Sequence, residues 1–191
     1  MDEKVHLFDG MASIPRRSRC VPRNCYSYFL ASSTLALVGC ANVTGGGSIP
    51  SANDPDREAR FAFVMHCRDT GSGRVVTGNF EYHDQTFART ASNGDAAELR
   101  IHGEAIDFPF DGTCADLAAA SPDMAAYFGS YTPQPPDLGP GGTFVLLVQD
   151  TGEQGPGKVD GFSVFLTGGI FDGYSNTGTV TRGQIVIHGP R

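Results

Sequence analysis

Hydrophobic and polar side chains alternate along most of the chain after residue 58, and this alternation predicts β-strands. In the clearest run, RFAFVMHCR at residues 60–68, the apolar side consists of Phe61, Phe63, Met65 and Cys67. Further strands are predicted at 74–83, 97–102, 143–150, 161–166 and in a final hairpin over 178–188. With 25 Gly and 12 Pro to form turns between these runs, the pattern predicts an all-β fold, either a single antiparallel β-sandwich or a small β-barrel.

One segment departs from this alternation and favours a short helical insertion. Leu117, Met124 and Phe128 line one side of two helical turns, and Ser121-Pro122 is typical of an N-cap followed by the first helical residue. We therefore expect residues 112–142 to form a loop and helix insertion between two strands. The strand that follows, TFVLLVQD at residues 143–150, is apolar on both sides and is expected to be the most buried.

The N-terminal region carries the pattern of an export signal. An uncharged run of 12 residues, 28–39, follows a cluster of arginines and is shorter than the ~20 residues of a membrane-spanning helix. We therefore predict a signal peptide at residues 1–40. Its last four residues, LVGC, resemble the bacterial lipobox, which implies cleavage before Cys40 and a diacylglycerol on the Cys40 sulfur. The alternatives are a plain secretory peptide that ends in Cys, or a buried N-terminal strand.

The remaining chain is divided into a lead-in and one domain. Residues 41–58 contain TGGGS and the turn-forming sequence NDPD, so they are expected to be a flexible tether. Residues 59–191 are then the β-domain, and their number suits a single domain.

Charge limits the classes of partner. After residue 40 the chain has nine Lys and Arg against eighteen Asp and Glu, a net charge of −9. Such an acidic surface argues against nucleic acid and against electrostatic adhesion to anionic lipid. The expected partners are the membrane, through a lipid anchor, and an unidentified envelope partner or ligand. The expected location is extracytoplasmic, on the outer face of the bacterial cell membrane.

Two cysteines remain after the signal region and its Cys40. Disulfides persist outside the cytoplasm, so we predict a disulfide between Cys67 and Cys114. The alternative is two unpaired buried thiols, because Cys67 occupies an apolar strand position.

Several short motifs together resemble a known class of domain. They are T-G-G-G-x-I from residue 44, Y-x-D from residue 82, D-x-G-E-x-G from residue 150 and G-Y-x-x-x-G from residue 173. Their order is similar to that in the small secreted β-domains of actinobacteria called post-COAP-like, and the likeness extends over roughly residues 43–189. The chain departs from that pattern by the stretch 114–142 and by Gly161 after Asp160. The resemblance implies a β-domain fold and carries no activity with it.

Sequence motifs of catalysis are absent. The chain has no H-E-x-x-H, no C-x-x-C and no G-x-S-x-G, and its strand histidines His66, His83, His102 and His188 fall on the polar side. We therefore expect a non-enzymatic envelope binding or structural module without catalytic residues. The alternatives are an envelope hydrolase of polysaccharide or ester substrates, and a carrier of a small apolar ligand inside a barrel.

The loop at residues 150–160 is the best candidate for a metal site. Asp150, Glu153 and Asp160 offer carboxylates among glycines whose backbone carbonyls are also suitable Ca²⁺ ligands. The alternative is a long hairpin loop whose acidic side chains face water. No other cofactor is expected.

Overall fold

The computed structural model describes residues 42–91, 94–106, 112–152 and 159–188. Within them the chain forms nine β-strands, one α-helix and one short 3₁₀ turn (Pro136–Leu138). The strands are β1 (Asn42–Pro50), β2 (Glu58–Thr70), β3 (Gly73–Thr90), β4 (Ala96–Ile106), β5 (Met124–Pro133), β6 (Gly142–Gln149), β7 (Gly161–Thr167), β8 (Ser175–Thr179) and β9 (Arg182–His188), and the helix is α1 (Cys114–Ala120).

All nine strands belong to one antiparallel sheet that curls into a half-barrel, so the predicted all-β class is confirmed. The order is β8-β7-β6-β5-β4-β3-β2-β1-β9. β8 and β9 lie at opposite ends of this order, since β8 pairs with β7 and β9 pairs with β1. Only residues 180 and 181 connect these two strands along the chain. The Val180 N–H donates to the Asp160 carbonyl over 2.9 Å, and the Thr181 N–H donates to the Ser48 carbonyl over 2.8 Å. The last segment of the chain therefore bridges both ends of the sheet.

The interior of the curl is filled by side chains from the inward side of every strand. The rings of Phe61 and Phe162 stack with their centroids 4.1 Å apart. Phe144 fills the middle of the sheet, where a Cβ on Gly129 would lie 2.4 Å from its ring and one on Gly103 would lie 2.8 Å from it. Glycine at these two inward positions therefore makes room for the Phe144 ring.

The predicted flexible tether at residues 41–58 is wrong, because residues 42–50 form β1 between β2 and β9. The glycines of TGGGS serve close packing rather than flexibility. A Cβ on Gly45 would lie 2.5 Å from the Phe63 ring, and one on Gly47 would lie 2.0 Å from the Arg182 carbonyl oxygen. Residues 51–57 form a turn closed by the Ser51 N–H, which donates to the Arg57 carbonyl over 2.9 Å.

The predicted insertion at residues 112–142 is also wrong in its extent. The helix is limited to α1, where the Thr113 hydroxyl caps the Asp116 N–H and the Asp116 carboxylate accepts from the Thr113 N–H. Residues 124–133 form β5, which pairs with β4 on one side and β6 on the other. The helical spacing of apolar residues was overridden by strand pairing, since alternate side chains from Ala125 to Tyr131 face the core.

The predicted disulfide is present. Cys67 near the end of β2 and Cys114 at the start of α1 have their Cα atoms 5.8 Å apart and are 47 positions apart in sequence. The Cys114 N–H also donates to the Asp69 carboxylate over 2.8 Å. These contacts fasten α1 to the end of the β2–β3 hairpin.

The predicted signal peptide and its Cys40 lie outside the described residues, as does Glu153 of the predicted calcium site. The described part of the chain contains no helix that is both long and apolar enough to cross a membrane.

Candidate interaction surface

The outward side of the sheet divides into two regions of different chemistry. We call the outward positions of β2, β3 and β4 up to Glu104 the charged face, because they include Arg60, Glu81 and Arg100. We call the outward positions of β5, β6, β7 and β8, together with Ile106, the neutral face. None of the sixteen outward positions on these four strands carries a charge.

A row of apolar side chains crosses the neutral face from strand to strand. Ile106 lies opposite Phe128, Phe128 opposite Val145, and Val145 opposite Phe165. The two ends of this row are the most open, since Ile106 is 51% and Phe165 is 39% exposed. A continuous exposed apolar row on a folded domain is the kind of surface that binds another molecule.

Strand β6 shows how unusual this surface is. Phe144, Leu146 and Val148 face the core and are buried, whereas Val145 and Leu147 face outward and are only half-buried. An antiparallel strand that is solvated on one side normally carries polar residues there. The sequence predicts a strand covered on both sides, and this domain covers only one of them.

The charged face differs in that its groups pair with one another. The His102 Nδ1 lies 2.5 Å from a Glu81 carboxylate oxygen, and the His83 Nε2 lies 3.4 Å from a Glu98 carboxylate oxygen. The strand histidines occupy outward positions, as predicted. Side-chain pairs this exposed contribute little to stability and keep the surface hydrated.

A buried polar network joins β3 to the segments before β2 and around β8. Its members are Ser51, Tyr82, Asp84, Thr86, Tyr174 and Asn176. The Asp84 side chain is fully buried. Its Oδ2 accepts from the Tyr174 hydroxyl over 2.7 Å and from the Ser51 hydroxyl over 2.8 Å. Its Oδ1 accepts from the Thr86 N–H over 2.9 Å.

The hydrogen bonds of this network set its charge state. Burial raises the pKa of Asp84, but hydrogen bonds from Tyr174, Ser51 and Thr86 outweigh it and hold the pKa of this carboxyl below its ordinary value. Burial raises the pKa of Tyr174, and the neighbouring Tyr82 and Asp84 raise it further. The network is therefore an ionised carboxylate surrounded by neutral hydroxyls. Because its groups are occupied by one another and enclosed, it ties strands together.

The predicted calcium ligands Asp150 and Asp160 instead bond backbone N–H groups. The Asp160 carboxylate is buried and accepts from the N–H groups of Ile185 and Thr151. The Asp150 carboxylate accepts from the N–H groups of Ile187 and Gly152. Ile185 and Ile187 belong to β9, which is the last strand in the order formed by the described residues. Two aspartates therefore occupy N–H groups that a neighbouring strand would otherwise bond.

Across the described residues there is no group of three or more His, Cys, Asp or Glu side chains that could hold a metal ion. The third predicted ligand, Glu153, falls outside them, so calcium binding by this loop stays a prediction.

Two features of this structure were within reach of the sequence and were missed. Phe80, Tyr82 and Asp84 share one side of β3, so alternation alone places Asp84 inside with the two aromatic residues. The neutral face is not predicted, because the sequence pattern places residues 124–133 in the loop and helix insertion at 112–142 rather than in a strand. Counting charges on the outward side of neighbouring strands would have revealed it once β5 was recognised.

Comparisons with known protein families, with curated proteins and with solved structures find no match to this chain.

Proposed function

We propose that this protein is a non-enzymatic binding or structural module of the cell envelope, held outside the cytoplasm by a lipid on Cys40, and that it binds through the neutral face. The observation that carries the proposal is the apolar row from Ile106 to Phe165 on a surface without charged side chains. Side chains of this kind gain about 25 cal/mol per Å² of area that a partner removes from water.

Two further observations support an extracytoplasmic location. The Cys67–Cys114 disulfide suits an oxidising compartment. The sequence LVGC at residues 37–40 includes the end of an uncharged run that follows a cluster of arginines, as in lipoprotein signals. A diacylglycerol has two acyl chains, which is the number that stable anchoring requires.

The anchor is tested by replacing Cys40 with Ser and following the protein through cell fractions. We expect the variant to leave the membrane fraction and to lack the acyl mass. A Cys40→Ser chain that keeps both its membrane retention and its acyl mass would contradict the anchor.

Binding through the neutral face is tested separately by photo-crosslinking in intact cells. A photoreactive phenylalanine analogue is placed at position 165 and, as a matched control, at position 64. Val64 is 45% exposed on the outward side of β2, so it is as accessible as Phe165 but belongs to the charged face. We expect covalent adducts from position 165 and none, or far fewer, from position 64. Equal yields at the two positions, or none at either, would refute the role of the neutral face.

A further inference from the structure

A lipid on Cys40 would leave this domain almost no tether. One residue separates Cys40 from Asn42, and Asn42 already belongs to β1. There it lies opposite His188 of β9, and its Oδ1 lies 3.3 Å from the Nδ1 of His66 on β2. An acyl group on Cys40 would therefore hold this end of the sheet close to the bilayer.

The β2–β3 hairpin projects beyond the same end of β1. Val43 pairs with Met65, and β2 continues past this pair to Thr70, which pairs with Gly73. The residues from 66 to 70 extend about 16 Å at 3.3 Å per residue. The chain from Val43 back to Cys40 spans at most about 11 Å. Whatever direction the chain takes before β1, the hairpin turn therefore reaches at least as far along the strand direction as Cys40.

Two attachments to α1 fix the direction of this hairpin. The disulfide joins Cys67, at the base of the projecting part, to Cys114. The Asp69 carboxylate accepts from the Cys114 N–H over 2.8 Å. The projecting part is therefore fastened to a neighbouring element rather than held by its own strand pairing alone.

The composition of the hairpin suits a layer of phospholipid headgroups. The turn at residues 71–72 is exposed and uncharged, and Arg68 and Arg74 flank it. Guanidinium groups bind phosphate oxygens through paired hydrogen bonds, and their apolar stems extend along a surface while the charge stays hydrated. Two arginines against Asp69 give residues 67–76 a net positive charge, whereas the chain after residue 40 has a net charge of −9. The hairpin therefore differs in charge from the chain as a whole.

We propose that the domain rests directly on the bilayer that carries its anchor, with the hairpin at residues 67–76 in contact with the phospholipid headgroups. This inference rests on the proposed lipid on Cys40 and adds the orientation of the domain. The nine residues of β1 extend about 30 Å. The turn at residues 51–57, which follows the other end of β1, therefore faces away from the membrane.

The test measures which end of the acylated full-length product lies near lipid. Ser72→Cys places a thiol at the hairpin turn, and Ala52→Cys is the matched control at an exposed position beyond the other end of β1. In the processed chain the native cysteines are acylated or in the disulfide, so a fluorescent maleimide attaches only at the new thiol. Each labelled chain is reconstituted with vesicles of phosphatidylethanolamine and phosphatidylglycerol that contain a lipid with a nitroxide on its headgroup. Quenching of the dye is measured on the vesicles recovered by flotation.

We expect quenching at position 72 to be severalfold greater than at position 52, because a nitroxide quenches at close approach and the two positions lie beyond opposite ends of a strand about 30 Å long. Equal quenching at the two positions, including none at either, would overturn the orientation and leave the anchor intact. A chain that lacks the acyl mass and does not float with the vesicles would overturn the anchor and this inference together.

A second comparison tests the contact made by the hairpin itself. Arg68→Glu reverses a charge on the projecting part, and Arg60→Glu makes the same change at an exposed outward position near the other end of β2. In chains labelled at position 72, we expect Arg68→Glu to lower the quenching at least about twofold, because an anionic surface attracts the arginine and repels the glutamate. We expect Arg60→Glu to leave it unchanged, and circular dichroism confirms that both variants are folded. Equal quenching in the two variants would contradict the contact between the hairpin and the headgroups.

Discussion

The charged face and the neutral face belong to one sheet, and both lie opposite the same core, yet they meet solvent in different ways. On the charged face, Arg, Glu and His side chains alternate with the buried residues, and imidazole and carboxylate groups pair. On the neutral face the outward positions are Ser, Thr, Gly, Gln and apolar residues. The inward pattern is the same in both regions, so the requirements of the core do not explain the difference.

The position of the charges sharpens this contrast. Between residues 121 and 179 the described acidic residues lie between strands, at Asp123, Asp137, Asp150, Asp160 and Asp172. The turns around the neutral face therefore contain the acidic residues that its strands lack, and of these the Asp160 carboxylate is buried. A surface that needed only solubility would spread charges over both. Their separation suggests that contact, rather than folding, determines the composition of β5 to β8.

The largest expected effect concerns the disulfide, which fastens α1 to the charged half of the sheet. In the chain-entropy model, a cross-link over 47 residues contributes about 4 kcal/mol. We expect the double substitution of Cys67 and Cys114 by Ser to lower the free energy of unfolding by about this amount in urea denaturation. Hydrogen exchange should show the greatest loss of protection in β2 and β3, and equal loss in β6 and β7 would contradict this account.

The second prediction compares the two sides of β6. Leu146 is fully buried, so Leu146→Ala should cost about 3 kcal/mol of unfolding free energy through lost burial and a cavity. Leu147 lies next to it on the neutral face and is half-buried, so Leu147→Ala should cost about 1 kcal/mol or less in the monomer. Denaturation at low protein concentration measures both. Equal costs at that concentration would mean that the neutral face is already covered within one chain.

The third prediction concerns the buried polar network. Asp84→Asn removes the charge that the Tyr174, Ser51 and Thr86 donors stabilise, and should lower the free energy of unfolding at pH 7 by about 2 kcal/mol. Tyr174→Phe is a milder control that removes one donor. A cost below about 0.5 kcal/mol for Asp84→Asn would contradict the stabilising role of this network.

The pH dependence of stability gives a second readout of Asp84. Its pKa is lower in the folded protein than in the unfolded chain, so its contribution is fully present above the unfolded-state pKa of about 3.9 and is lost as pH falls through the folded-state pKa. Below about pH 4 the parent should therefore lose stability more steeply than Asp84→Asn. Equal slopes for both proteins in acid denaturation would contradict the lowered pKa.

How much of this structure could be predicted varies from one element to another. Alternation predicts β2 correctly, because Phe61, Phe63 and Met65 lie on one side of the strand and no other periodicity fits that pattern. The sequence does not predict β5, because the small and aromatic residues from Met124 to Tyr131 fit both the helical and the strand periodicity. The pairing of this segment with β4 and β6 decides between the two. The glycines of β1 suggested flexibility, and only the neighbouring Phe63 ring and Arg182 carbonyl show that they serve close packing.

The two surfaces and the sheet edge show the same limit of prediction from sequence, because they too depend on which strands are neighbours. That the neutral face is continuous follows only from the register, which aligns Ile106, Phe128, Val145 and Phe165 across four strands. The roles of Asp150 and Asp160 depend on β9, which lies beside them although its bonded residues are 25 and 37 positions further along the chain. A sequence gives the side on which each residue lies, whereas these partners depend on how the strands are ordered.

The last prediction has the smallest expected effect, and it tests whether folding requires charge on the charged face or its absence from the neutral face. Glu81→Gln removes the carboxylate beside His102 on the charged face, where both side chains are at least a third exposed, so it should change the free energy of unfolding by about 0.5 kcal/mol or less. Thr177→Lys, which adds a charge at an exposed outward position of β8, should have an effect of the same size. Urea denaturation of both variants at low protein concentration provides the measurement. If Thr177→Lys were instead to destabilise the monomer by several times that amount, the neutral composition would be a requirement of folding. If it is as mild as Glu81→Gln, folding does not require β8 to be uncharged, and the absence of charge is better explained by contact with a partner.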